Sequence, residues 1–308
     1  MTTDRPLAGI GLMLLFCLLA PLGDGMAKLL GGSVGLLVLM LARFATQALL
    51  LTPIRLRSGP LRPPPGTRAL CWARSLLHVG GMGCMFAALR VLPLADALAI
   101  AFVMPFIALL LGWLLLGESV GPHRLGACAV GFVGTLLVIQ PNFAAVGTAA
   151  LLPLGVALSF AGFMLVTRHL SDRVGAVQMQ AVSGWQGSLL IAVALLALPG
   201  AGLATLPATA EDWVLLTIMA VMGVAAQLTM TASLTLAPAA TLAPMQYLEI
   251  PIGVAIGWLM FRDLPDGLAT VGIAITVAAG LYVIARERHL SRQPMPPAAG
   301  SAAPGRTR

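Results

Sequence analysis

The sequence predicts an all-α membrane protein, with ten transmembrane helices arranged as an inverted 5+5 repeat. Three observations carry this. Hydrophobic residues are 59% of the 308 and charged residues only 9%, where an ordinary soluble domain carries about 25% charged. Most of the chain divides into apolar runs of roughly 20 residues, each enough to cross about 30 Å of hydrocarbon. One phrase also occurs twice. Residues 92–139 read LPLADALAIAFVMPFIALLLGWLLLGESVGPHRLGACAVGFVGTLLVI, and residues 237–284 read APAATLAPMQYLEIPIGVAIGWLMFRDLPDGLATVGIAITVAAGLYVI. In register, Pro93 meets Pro238, Gly112-Trp113 meets Gly257-Trp258, and Glu118 meets Asp263.

Hydropathy places the spans at roughly 7–30, 34–52, 69–92, 94–117, 125–140, 149–169, 175–198, 213–236, 239–262 and 267–285. The first lacks a small-residue cleavage site and runs at once into the second, so it reads as uncleaved. The loop Pro53–Arg68 is Pro-rich and basic. The third span is the least apolar because it holds Arg74 and His78. The fourth and ninth are the repeated pair, with Pro105 and Pro251 near their middles. A mid-helix proline removes one backbone bond and kinks the helix. Hydrocarbon tolerates this only where neighbours or a wet cavity satisfy the freed carbonyl. These two residues are therefore the candidate gate positions. Ala108 with Gly112, and Gly253 with Gly257, give small faces that let backbones approach.

The domains expected are residues 1–140, a first five-helix repeat; 149–285, a second; and 286–308, a disordered basic cytoplasmic tail. Five is odd, so the second repeat enters the membrane from the opposite side. Such halves are related by a two-fold axis in the membrane plane, and transporters built this way place their site between them. Net charge is +7. Of the Lys and Arg, only Lys28, Arg43, Arg74, Arg90 and Arg262 fall outside the segments assigned to the cytoplasm, and 141–148 and 199–212 have none. By the positive-inside rule both termini are cytoplasmic. These arginines form no continuous stripe with aromatics, so nucleic acid is not an expected partner. Cys17, Cys71, Cys84 and Cys128 all lie within spans at no metal-type spacing, and the four histidines are scattered. Neither a metal site nor a cofactor is expected.

Ionisable groups at membrane depth are the informative residues. Each costs about 2.5–3.5 kcal/mol there and should face a partner or a cavity. Glu249 lies mid-span beside Pro251, close to Gln246 and Tyr247. Arg43 lies mid-span with Gln47 one turn on, and Arg74 with His78 likewise. Asp24 and Lys28 share a face near the outer end of the first span, where an internal ion pair is the simplest reading and substrate contact the alternative. Arg74 is shallow enough to snorkel to the cytoplasmic surface. His78 reads as a packing residue or a proton carrier. Arg43 and Glu249 either pair with each other across the bundle or bind opposite charges of a solute. Trp185, Gln186 and Gln227 add flat and polar walls. Trp113 and Trp258, near span ends, fit an interfacial belt. Glu249 is the candidate for proton coupling, and Asp96 for capping the fourth span.

The run LPLADALAIAFVMPFIALLLGWLLLGE, followed by a Gly-rich span, resembles the EamA domain of the drug/metabolite transporter superfamily. The run ending GWLMFRDLPDGLATVGIAITVAAGLYVI resembles a second. The resemblance covers nearly the whole chain. The second domain departs from the family in reading Arg262-Asp263 where Gly-Glu is usual. PLGDGMAKLLGG and QYLEIP are similar to a branch near riboflavin and S-adenosylmethionine carriers; other relatives export amino acids or metallophores. The resemblance implies a central cavity lined by spans 1–4 and 6–9, and a secondary transporter of a small polar or amphipathic metabolite in a bacterial inner membrane. Export is the expected direction, with import of a vitamin or cofactor as the alternative. Membrane lipids are the other expected partner, and a homodimer is compatible. The chain has no Gly-Lys-Ser/Thr phosphate loop, so it does not hydrolyse ATP. A lipid-modifying enzyme would want a cluster of His, Asp or Ser at one face, and a channel would want matching charge rings. Neither pattern occurs.

Overall fold

The computed structural model describes residues 5–91, 100–117, 120–139, 148, 151–197, 203–261 and 267–292. Among the described residues every regular element is helical. They are α1 (Pro6–Leu30), α2 (Leu36–Ser58), α3 (Arg68–Val91), α4 (Met104–Leu116), α5 (Pro122–Ile139), α6 (Leu151–Leu170), α7 (Ala176–Ala197), α8 (Ala210–Leu236), α9 (Ala239–Leu242), a 3₁₀ segment (Ala243–Leu248), α10 (Glu249–Phe261) and α11 (Gly267–Arg292). Helices α1, α2, α6, α7 and α8 are each long and apolar enough to cross a membrane.

Two ends differ from expectation. Helix α2 continues through Pro53 to Ser58, with Arg55 and Arg57 in its last turn and Gly59, at φ 150°, closing it. Basic side chains there complement the negative end of the helix dipole. Gln178 donates to the carbonyls of Pro60, Leu61 and Arg62 at 3.0–3.3 Å, fixing the following turn. Helix α11 does not end at 285 but runs on to Arg292, through the first residues of the expected tail; residues 293–308 lie outside the description. The expected link at 140–149, Asp96 and Glu118 also fall largely or wholly outside it.

Each long helix packs chiefly against one from the other half of the chain: α1 on α8, α2 on α7, α3 on α6 and α5 on α11. Helix α4 leans on α6, and α10 leans on α1. Small residues set the spacing. A Cβ at Gly184 of α7 would stand 2.5 Å from the backbone nitrogen of Ala48 on α2. Gly184→Val therefore forces two backbones apart. Overpacking of this kind costs about 1–3 kcal/mol, and the melting temperature of the purified protein is expected to fall by roughly 5 °C. At the opposite end from Arg55 and Arg57, the chain before α8 grips the start of α2: Gly35 N–H donates to Thr205 O at 2.8 Å and Leu37 N–H to Leu203 O at 3.0 Å.

The fourth and ninth spans are broken rather than kinked. Helical geometry stops at Phe102–Val103 and resumes at Met104; Pro105 sits in the first turn of α4. The 3₁₀ segment interrupts the ninth span, and Pro251 is the third residue of α10. A proline in the first turn loses no helical bond, because those N–H groups have no intrahelical partner. The prolines thus start half-helices. The breaks fall at matching places in the repeated phrase, and they touch. The Tyr247 hydroxyl donates to Phe102 O at 3.2 Å, and Cys17 Sγ lies 3.6 Å from Met245 O. Side chains thereby cover carbonyls freed at both breaks, as hydrocarbon demands.

Candidate functional site

Three ionisable side chains converge inside the bundle. Asp24 comes from α1, Arg43 from α2, and Glu249 from the first turn of α10. Asp24 lies within electrostatic reach of both Arg43 and Glu249. It is accessible by surface area, and Arg43 and Glu249 are partly so, yet protein encloses all three. Ionisable groups that are accessible yet set deep among protein atoms are placed as the lining of an interior polar space would be. Gly223 of α8 makes room for the arginine: a Cβ there would stand 2.6 Å from Arg43 Nε. Glu249 also stands at the positive end of a helix dipole that starts inside the bundle, a favourable place for a carboxylate.

Arg43 and Glu249 make no direct ion pair among the described residues; Asp24 is the neighbour each of them feels. The described partners of Asp24 are across the bundle. The expected pair of Asp24 with Lys28 rests on a side chain outside the described residues.

A second polar cluster sits nearer the end carrying Arg55 and Arg57. Arg74 is 0% exposed, so it does not snorkel. Its Nε donates to Thr167 Oγ1 at 2.7 Å, one terminal nitrogen to Ser183 Oγ at 2.5 Å, and the other to Thr231 Oγ1 at 2.9 Å. Its guanidinium also lies 4.3 Å over the Phe163 ring, a cation–π contact. Gln47 is buried and donates to Gln180 O and Oε1 at 2.7 and 2.9 Å. Gln180 Nε2 in turn donates to Gln227 O and Thr231 Oγ1. Ser75 joins Ser183 and Gln186. Five helices, α2, α3, α6, α7 and α8, are tied together here.

His78 lies between the clusters, within electrostatic reach of Arg43 and Arg74. Phe44, Phe160 and Phe163 surround its ring, and its Nδ1 is buried without a partner. Gln246 is buried beside Met164, its Oε1 unpartnered. Tyr247 is buried against Phe102 and Phe132 and bridges the breaks, so it does not line the cavity. Trp185 does not either. It is 51% exposed, shares a stripe with Leu189, Val193 and Leu196, and donates to Thr52 at 3.0 Å on the outside of the bundle. Trp113 and Trp258 are exposed near helix ends, where an interfacial belt would hold them. Sequence reasoning missed Gly223, Thr167, Ser183 and Thr231. Small and hydroxyl residues are common in spanning helices, and nothing in their spacing marks them.

Apolar helices wrapped around charged groups define a multi-pass membrane protein with an interior polar site, the architecture of a carrier. The chain belongs to the EamA-like transporter family, which matches residues 7–140. It is 31% identical over 229 residues to a riboflavin transporter of Rhizobium johnstonii, covering 72% of each chain. An S-adenosylmethionine uptake transporter of Rickettsia bellii is 25% identical over 91% of this chain and 94% of its own. The pseudopaline exporter CntI of Pseudomonas aeruginosa is 27% identical over 70% and 74%. One solved crystal structure has a similar fold, with a TM-score of 0.76 at 18% identity over 92% of this chain and 98% of that one. The family and these relatives are transporters, not enzymes.

Proposed function

We propose that this chain is a secondary transporter of the bacterial inner membrane, both termini cytoplasmic, moving a small polar metabolite by alternating access between two inverted five-helix halves. The observation that carries it is the enclosed trio Asp24, Arg43 and Glu249, which offers both signs of charge to one solute at membrane depth. Ionisable groups so placed mark substrate or ion pathways. A zwitterionic solute satisfies the trio best, its cationic part toward Asp24 and Glu249 and its anionic part toward Arg43.

The packing supports the inverted repeat. Exchange each helix for its counterpart five spans on, and α1 on α8 becomes α6 on α3. The pairs α2 on α7 and α5 on α11 map onto themselves, and α4 on α6 becomes α10 on α1. Phe102 and Tyr247, equivalent in the repeated phrase, touch, as residues beside a two-fold axis do.

The sequence favoured export. Two relatives that match 91% and 92% of this chain are named for uptake, and on that ground we favour import of a vitamin- or cofactor-sized solute. Protein reconstituted in liposomes, offered riboflavin, S-adenosylmethionine and a metabolite panel with and without a pH gradient, tests this. Saturable accumulation of unaltered solute is expected. A chemically changed solute, or flux without saturation, would overturn the reading.

A further inference from the structure

Arg74 poses a problem that transport alone does not answer. It is a wholly buried cation, and its partners are three hydroxyls and a phenyl ring. No carboxylate is among its partners in the described residues. An uncompensated buried charge is costly, and burial normally demands a counter-charge. The cluster also holds donors that its described hydrogen bonds do not use. The guanidinium brings five N–H groups. Gln180 adds an amide that donates to Thr231 Oγ1. Gln227, one turn from Thr231 on α8, holds a buried Nε2 with no hydrogen-bond partner among the described residues. What such a cluster lacks is a compact group carrying several acceptor oxygens and negative charge.

The cluster also lies in line with the central trio. His78 feels Arg43 on one side and Arg74 on the other. Basic groups therefore run from Arg43 past His78 to Arg74, and the two carboxylates, Asp24 and Glu249, stand only at the Arg43 end.

We propose that Arg74, with the Thr167, Ser183 and Thr231 hydroxyls and the Gln227 amide, is a second anion-binding station, which takes the carboxylate or phosphate of the transported solute after it leaves Arg43. The three hydroxyl oxygens stand in for the oxygens of that group while the station is empty. Arginine suits the task because its planar fork meets a carboxylate or phosphate with two parallel bonds. The station rests on the transport reading above and narrows it: the solute carries an acidic group. A purely uncharged solute would leave Arg74 as it stands, buried without a counter-ion.

Binding to the whole chain in detergent tests this without transport. The melting transition is followed by tryptophan fluorescence during titration with inorganic phosphate, and separately with citrate, against sodium chloride at matched ionic strength. A saturable rise above the chloride curve is expected for at least one of the two, and which one distinguishes phosphate from carboxylate. Because Arg43 also meets anions, the variants are compared in an Arg43→Gln background: Arg43→Gln alone is expected to keep a saturable rise, and Arg43→Gln with Arg74→Gln to lose it. Should that double variant fail to fold, Arg74→Lys in the same background serves: losing the fork is expected to raise the half-saturating concentration at least tenfold. No saturable rise in Arg43→Gln, a rise retained in Arg43→Gln with Arg74→Gln, or unchanged half-saturation in Arg43→Gln with Arg74→Lys each overturns the station. Its failure is separable from that of the transport reading. Uptake into liposomes without anion binding sinks only the station, and anion binding without uptake sinks only the transporter.

Discussion

Arg43→Gln is expected to lower the initial rate of saturable uptake into liposomes roughly 100-fold, about 2.7 kcal/mol, with little loss of melting temperature. Arg43 is the cation that Asp24 feels, and no other described side chain supplies that charge at the trio. Without it, two carboxylates face one another and one solute charge has no partner. Arg43→Lys should fall between, since charge survives and fork geometry does not. Gly223→Val is expected to act in the same direction with all charges intact, because its side chain occupies the space that Arg43 Nε fills. The effects of Asp24→Asn and Arg43→Gln should not add in the double variant, as expected for groups in one network. Near-native uptake by Arg43→Gln would remove the trio from the solute path.

Glu249→Gln is expected to leave a folded protein whose uptake no longer responds to a pH gradient, with the rate at the native optimum down about tenfold. The carboxyl starts a half-helix inside the bundle and lies within reach of Asp24. A carboxyl there can exchange its proton with either side as the cavity changes face, and an amide cannot. Uptake measured from pH 5.5 to 8 (about the usual working range), with and without a gradient, decides the matter. An unaltered pH profile in Glu249→Gln would assign proton coupling elsewhere.

Much of the architecture was legible because hydrocarbon is a strict solvent. Span length and apolar composition located the helices to within a few residues, apart from the end of α2, the end of α11 and the two breaks. Proline accounts for the end of α2 and for the two breaks, whereas α11 runs on through a polar, proline-free stretch that hydropathy does not mark. Pro53 lies inside α2 and Pro105 starts α4, and sequence alone does not tell a proline that interrupts a helix from one that begins it. The site was half legible. Arg43 and Glu249 stand out by depth, but that Asp24 of α1 lies within reach of both does not, because four-residue spacing is visible in a sequence and proximity between helices is not. Arg74 was given to the surface on its distance from the helix start. It is held inside by Thr167, Ser183 and Thr231, from three other helices, and each of them is unremarkable by itself. Trp185 looked like a wall of the site because it is flat and polar-tipped. The stripe it shares with Leu189 and Val193 turns it outward.

The pairing of α1 with α8, α2 with α7, α3 with α6 and α5 with α11 bears on how the polypeptide comes to be folded. The five spans made first have no proper company until the later five arrive: the α3–α6 seam can close first, and the α5–α11 seam must wait for the last helix to leave the ribosome. A chain severed between Ile139 and Leu151 would give two pieces that are each other's chaperone: unstable when expressed singly, competent when produced together.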